Sequence, residues 1–114
     1  MIKIYGIKNC DSVKKAIKFL KEKNLDYELN DFKINSVDES KIKEWLKSVE
    51  LSKLFNSKST TYRNHKLKDL NLDEDGKIEW MAKENLLIKR PVIEYKDRVI
   101  VGFDEKLYEE IFII

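Results

Sequence analysis

At 114 residues the chain is long enough for one compact domain with its own core and too short for several. Charged residues make up 39% of it, yet Lys and Arg outnumber Asp and Glu by only 23 to 21 and the two signs are interspersed. That balance speaks against a nucleic-acid binder working through a broad basic face. A single cysteine excludes an internal disulfide and fits a reducing compartment, and neither an apolar leader nor a bilayer-length run is present, so a cytoplasmic setting away from membranes is expected.

Ile2, Ile4 and Tyr5 form a short apolar run closed by Gly6, which predicts a buried strand. Val13, Ala16, Ile17 and Leu20 then recur at the spacing of one helix face. Between them, Asn9-Cys10-Asp11-Ser12 offers short polar residues suited to capping that helix. Leu25, Tyr27 and Leu29 alternate as a second strand. Ser36 and Asp38 cap a predicted helix that carries Ile42, Trp45, Leu46 and Val49 on one face, and Leu51, Leu54 and Phe55 continue the pattern. A polar loop, Asn56 to Arg63, follows, and a further helix is expected after Gly76 through Ile78, Met81 and Ala82. Pro91 opens a hairpin of Val92–Tyr95 and Val99–Val101 across a Lys96-Asp97 turn. Asp104 caps a last helix with Leu107, Tyr108, Ile111 and Phe112 toward the core.

Strand–helix–strand at the front implies a parallel pair with a crossover, and the hairpin supplies antiparallel strands. The expected class is α/β: a mixed four-stranded sheet in the thioredoxin-like arrangement, one domain over 1–114 with a helical insertion at about 36–87.

Cys10 falls where the first strand hands over to the first helix. A thiol at such a place meets unpaired backbone N–H groups and the positive end of the helix dipole, which favour thiolate, with Lys8, Lys14 and Lys15 close in sequence. This reads as a nucleophile; the competing reading is a small buried hydrophobe. A Cys-X-X-Cys pair is absent, because Val13 holds the fourth position, so any thiol chemistry is monothiol and needs a second thiol from outside. The only proline, Pro91, follows Arg90; the bond between them is either cis beside a reactive thiol or an ordinary trans bond opening a strand. Arg90 is either an anion-binding guanidinium or a solvated charge. Lys58, Thr60, Thr61 and Arg63 can donate to an oxyanion or carboxylate. The stretch Asn71 to Ile78 is like the first half of a calcium loop but has Ala82 where the bidentate carboxylate belongs, and His65 has no ligand-spaced partner, so no metal is expected.

Taken together, Tyr5-Gly-Ile-Lys-Asn-Cys10-Asp with Lys14-Lys15-Ala16, Thr60-Thr61-Tyr62-Arg63, Leu87-Ile-Lys-Arg-Pro91 and Val101-Gly-Phe103 resemble the ArsC/Spx family, nearest its YffB-like branch, in register over almost the whole chain. The resemblance implies a thioredoxin-like core with a helical insertion, a nucleophilic Cys10 and a cis peptide before Pro91. The family includes glutathione- and glutaredoxin-dependent arsenate reductases, thiol reductases, and redox-responsive regulators that bind RNA polymerase. Arsenate reductases of this kind hold the oxyanion with three arginines. Arg90 matches one, the last aligns with Gly102, and the first aligns near Asn56, with Lys58 and Arg63 beside it. The regulators carry Cys-X-X-Cys, which Val13 removes. The resemblance therefore implies a glutathione-dependent thiol/disulfide reductase, with Cys10 as nucleophile and Lys8, Lys58, Arg63, Arg90 and Pro91 around the substrate or glutathione. No tightly bound cofactor is expected, and glutathione or a glutaredoxin-like thiol donor is the implied partner. The alternatives are arsenate reduction and a non-enzymatic regulator binding the polymerase alpha subunit.

Overall fold

The structure, a computed structural model, describes residues 1–112. It comprises two compact units, one made of Met1–Asp31 with the segment from Arg90 onward, the other of Phe32–Lys89. The second unit is somewhat wider than the insertion expected at about 36–87.

In the first unit the strands β1 (Ile2–Gly6), β2 (Tyr27–Asp31), β3 (Val92–Tyr95) and β4 (Arg98–Val101) form the mixed sheet, in the order β2-β1-β3-β4, and the helices α1 (Asp11–Glu22) and α6 (Glu105–Ile111) pack beside it. β1 runs parallel to β2, with Ile2 opposite Tyr27, and antiparallel to β3, with Ile4 opposite Ile93. Alternation puts Ile2, Ile4, Ile93 and Ile100 on one face. There they pack with Ala16, Phe19 and Leu20 of α1 and with Tyr108 and Phe112. The edge-to-face contact of Phe19 with Tyr108, 5.5 Å between centroids, joins the two helices over the sheet.

Several ends differ from the sequence reading for identifiable reasons. β2 starts at Tyr27 because Asn24 turns left-handed (φ 57) and the Leu25 N–H goes back to Leu20 O at 2.9 Å, closing α1. The hairpin turns on Lys96 at φ 54. Asp104 caps α6 through the Leu107 N–H as expected, but the Leu107 side chain is exposed. Tyr108 is fully buried and donates its hydroxyl to Gly102 O at 2.6 Å. Its burial, and then the charge of Asp104, hold the phenol well above the usual tyrosine range.

The second unit contains α2 (Glu39–Leu46), α3 (Leu51–Leu54), α4 (Thr60–Asn64), α5 (Glu74–Lys83) and two short 3₁₀ turns, Leu67–Leu70 and Asn85–Leu87. Ile42, Trp45, Leu54, Leu67, Met81, Leu87 and Ile88 are its fully buried side chains. Asp38, not Ser36, caps α2 through the Lys41 N–H. The helix expected after Gly76 begins at Glu74, with Gly76 inside it, because the Asp73 carboxylate accepts from the Gly76 N–H at 2.7 Å. The calcium-loop likeness is thus a helix cap, and among the described residues no three His, Cys, Asp or Glu side chains gather as a metal site would need. The stretch 56–63, expected as a loop, is a turn followed by α4, capped by Ser59. His65 stands 3.5 Å from Glu84 and against the Trp80 ring. Among the described residues no helix is long and apolar enough to cross a membrane.

Candidate active site

The site is built at the C-terminal end of β1. Ile7 to Cys10 carries the chain from that strand into α1, and Cys10 occupies the N-cap position in an extended conformation (φ −142, ψ 124). No side chain caps this helix, so the capping role expected of Asn9, Asp11 and Ser12 is not filled; α1 begins with the Cys10 carbonyl accepting from the Lys14 N–H at 2.9 Å. Cys10 is a free, half-buried cysteine. Its backbone position leaves the first-turn N–H groups facing that end of the loop.

Gly6 makes this junction tight. A Cβ there would lie 2.7 Å from Cγ2 of Val13, which is fully buried, and 3.8 Å from Cβ of Arg90. The position at which a resolving cysteine would stand is therefore a packing residue wedged against the end of β1. The same contacts place Arg90 beside Gly6, where the chain enters β3 through a cis Arg90–Pro91 peptide. Arg90 is half-buried and Pro91 buried. The Pro91 carbonyl is engaged, accepting from the Gly102 N–H at 2.8 Å. Gly102 has φ 85, with nothing within 4 Å of where a Cβ would be. An arginine at that position would thus have room but would need a backbone conformation that side-chain-bearing residues rarely adopt.

Lys8, Cys10, Arg90 and Pro91 are accordingly at one end of the sheet unit, Lys8 exposed on the strand–helix loop. Lys58 and Arg63 belong to the helical unit. Arg63 folds back on its own turn, donating from Nη1 to Lys58 O at 3.0 Å and from Nη2 to Thr60 Oγ1 at 3.3 Å. Asn56, near which the resemblance leads us to expect the first oxyanion-binding arginine, organises this turn: its Oδ1 accepts from the Lys58 N–H, its carbonyl from Ser59, and its N–H donates to Leu87 O. Sequence reasoning missed Gly6, although a glycine closing a strand just before a candidate nucleophile is a readable signal of close backbone approach. It also missed Asn85, the buried polar centre of the helical unit, which no local pattern marks.

The chain is 37% identical over 114 residues to an uncharacterised protein of Haemophilus influenzae, covering 98% of this chain and 99% of that one. It is 26% identical over 110 residues to the global transcriptional regulator Spx 2 of Bacillus anthracis, covering 93% and 82%. Among solved structures it superposes on the YffB protein with a TM-score of 0.89 at 33% identity, covering 96% of this chain and 97% of that one. The ArsC family model matches residues 5–111, from the middle of β1 to the end of α6 and so across both units and the Cys10 junction. This chain belongs to the ArsC family.

Proposed function

We propose that the protein is a monothiol thiol/disulfide reductase in which Cys10 is the nucleophile and glutathione the co-substrate. The observation that supports it most is the junction itself: a half-buried thiol at the N-cap of α1, with Val13 rather than a second thiol packed into the first turn and Arg90 alongside. In the proposed cycle the Cys10 thiolate attacks the glutathione sulfur of a mixed disulfide R–S–S–G. The S–S bond of the mixed disulfide breaks, R–S⁻ leaves and takes a proton, and Cys10 becomes linked to glutathione through a new S–S bond. A second glutathione thiolate attacks the glutathione sulfur of that link, releasing glutathione disulfide and the Cys10 thiolate. The balance is R–S–S–G + GSH → RSH + GSSG, and a glutaredoxin-like thiol could serve as donor in the second step. Arg90 and Lys8 are the charged donors at this end for glutathione carboxylates.

Mass spectrometry after exposure to glutathione disulfide, coupled to turnover of a glutathionylated peptide with glutathione, tests this. A single glutathione adduct on Cys10 and turnover abolished by Cys10→Ser are expected; absence of both adduct and turnover would dispose of the proposal. Arsenate reduction has less support, because only Arg90 of the three arginines is kept and Gly102 stands at a left-handed backbone position. The similarity to Spx 2 favours a second reading, a regulator that binds the RNA polymerase alpha subunit independently of redox state. It requires alpha-subunit binding at micromolar protein that survives Cys10→Ser, with no thiol turnover.

A further inference from the structure

The chain's charges are nearly balanced, but the sheet unit segregates them. Residues 8–23 hold six lysines against two acids, net +4, whereas residues 104–110 hold four acids against one lysine, net −3. Lys14, Lys18 and Lys21 recur at i, i+4 and i+7 on α1, with Lys15 flanking them, all exposed on the side opposite the buried Val13, Ala16 and Leu20. At the rise of an α-helix this stripe reaches about 16 Å from Cys10, well beyond a Debye length at physiological salt. Within this stripe Lys18 makes a long, exposed ion pair with Glu22 at 3.9 Å. Lys8 continues the same sign on the loop just before Cys10.

We infer that this lysine face of α1 docks an acidic protein surface carrying the disulfide that Cys10 attacks; the inference rests on the thiol-reductase reading above. A glutathione adduct alone does not need a stripe about two turns long. A protein whose oxidised cysteine lies among carboxylates would be steered along it to the thiol, and charge complementarity of this kind acts mainly on the association rate and fades with salt. The acidic segment at 104–110 makes a second copy of this chain the competing occupant.

The test uses the full chain and three probes: glutathionylated single-cysteine peptides, one with four glutamates and one with four lysines, and neutral hydroxyethyl disulfide. The neutral probe reports the intrinsic reactivity of Cys10, and each peptide rate is divided by it. The acidic peptide is expected to react about tenfold faster than the basic one at 20 mM salt, with the gap closing toward one at about 500 mM. Lys18→Glu with Lys21→Glu takes residues 8–23 to net zero and keeps good helix formers, so the preference should fall to within about twofold. Lys18→Gln with Lys21→Gln, intermediate in charge, should give an intermediate preference, and a far-ultraviolet spectrum checks the fold of both. Equal peptide rates, or a preference that the double variants leave intact, overturn the docking face while reaction with the neutral disulfide keeps the reductase reading. Salt-dependent self-association abolished by the same variants, without peptide preference, assigns the face to a second copy and also overturns it. No reaction with any probe overturns both.

Discussion

The sheet unit and the helical unit satisfy their backbones by different means. In the sheet unit, strands from opposite ends of the chain hydrogen-bond to each other, and α1 and α6 cover one face with a continuous apolar layer. Its special positions are therefore matters of backbone fit: Gly6 against Val13, Gly102 at φ 85, the left-handed Asn24 and Lys96. The helical unit is a set of short elements, most of them too short to be stable alone, whose ends need side chains. Asp38, Ser59 and Asp73 each cap a helix. Asn85 ties the segment before α2 to the end of α5: its Oδ1 accepts from the Val37 N–H at 2.8 Å, and its Nδ2 donates to Val37 O at 3.1 Å and Met81 O at 2.8 Å. The lesson is that one unit is fixed by pleat and packing, the other by polar side chains added to a small core.

That contrast can be broken by experiment. The largest effect is expected for Trp45→Ala, which empties the biggest fully buried site of the helical unit and should cost about 3 to 5 kcal/mol in urea unfolding. Next comes Asn85→Leu, similar in volume but leaving the Val37 N–H and carbonyl without their buried partner; about 2 to 3 kcal/mol is expected, with faster amide exchange at Val37. If it costs no more than losing an exposed cap, the polar-hub account of this unit fails. In the sheet unit, Gly6→Ala drives a Cβ into a short, stiff and fully buried side chain, for a loss of about 1 to 3 kcal/mol and a slower reaction of Cys10 with neutral disulfides. Stability unchanged from wild type would show that the strand–helix junction is looser than a 2.7 Å approach to Val13 requires.

Tyr108→Phe should cost about 1 kcal/mol at neutral pH through loss of the bond to Gly102 O. It should also change the alkaline limb of stability. The folded phenol keeps its proton to higher pH than an unfolded tyrosine, which ionises near 10. Above that value the unfolded state binds fewer protons than the native one, so stability falls as pH rises. The contribution is fully present below about pH 10 and is lost as the pH climbs toward the folded value; urea midpoints from pH 8 to 11 should fall less steeply in the phenylalanine variant. The smallest effect is expected for Asp73→Ala, about 1 kcal/mol from the exposed cap of α5.

The sheet unit was largely legible in the sequence because its elements carry strong periodicity: Ile2 and Ile4 alternate, Val13, Ala16 and Leu20 repeat at helical spacing, and Asp104 announces α6. The helical unit was read less well. Thr60–Asn64 is helical despite a loop-like composition, since Ser59 caps it and Tyr62 lies edge-to-face on Phe55, 5.8 Å between centroids. Helices this short have too few residues to show a period, so tertiary contacts decide them. The Leu107 reading failed for a related reason, because a single turn of α6 cannot say which edge of an apolar stripe stays in solvent.

From its sequence alone the chain determined a single thiol at a strand–helix junction, the lack of a second thiol three residues on, and the alternating and helical patterns that yield a mixed sheet, because these depend only on residue identity and local spacing. Only the tertiary structure decided that Val13 is wedged against Gly6, that Arg90 enters beside them, that Pro91 and Arg63 spend hydrogen-bonding groups on their own neighbours, and that Asn85 joins segments 48 residues apart. Such contacts follow from where the chain returns in space, and local spacing carries no signal of that return.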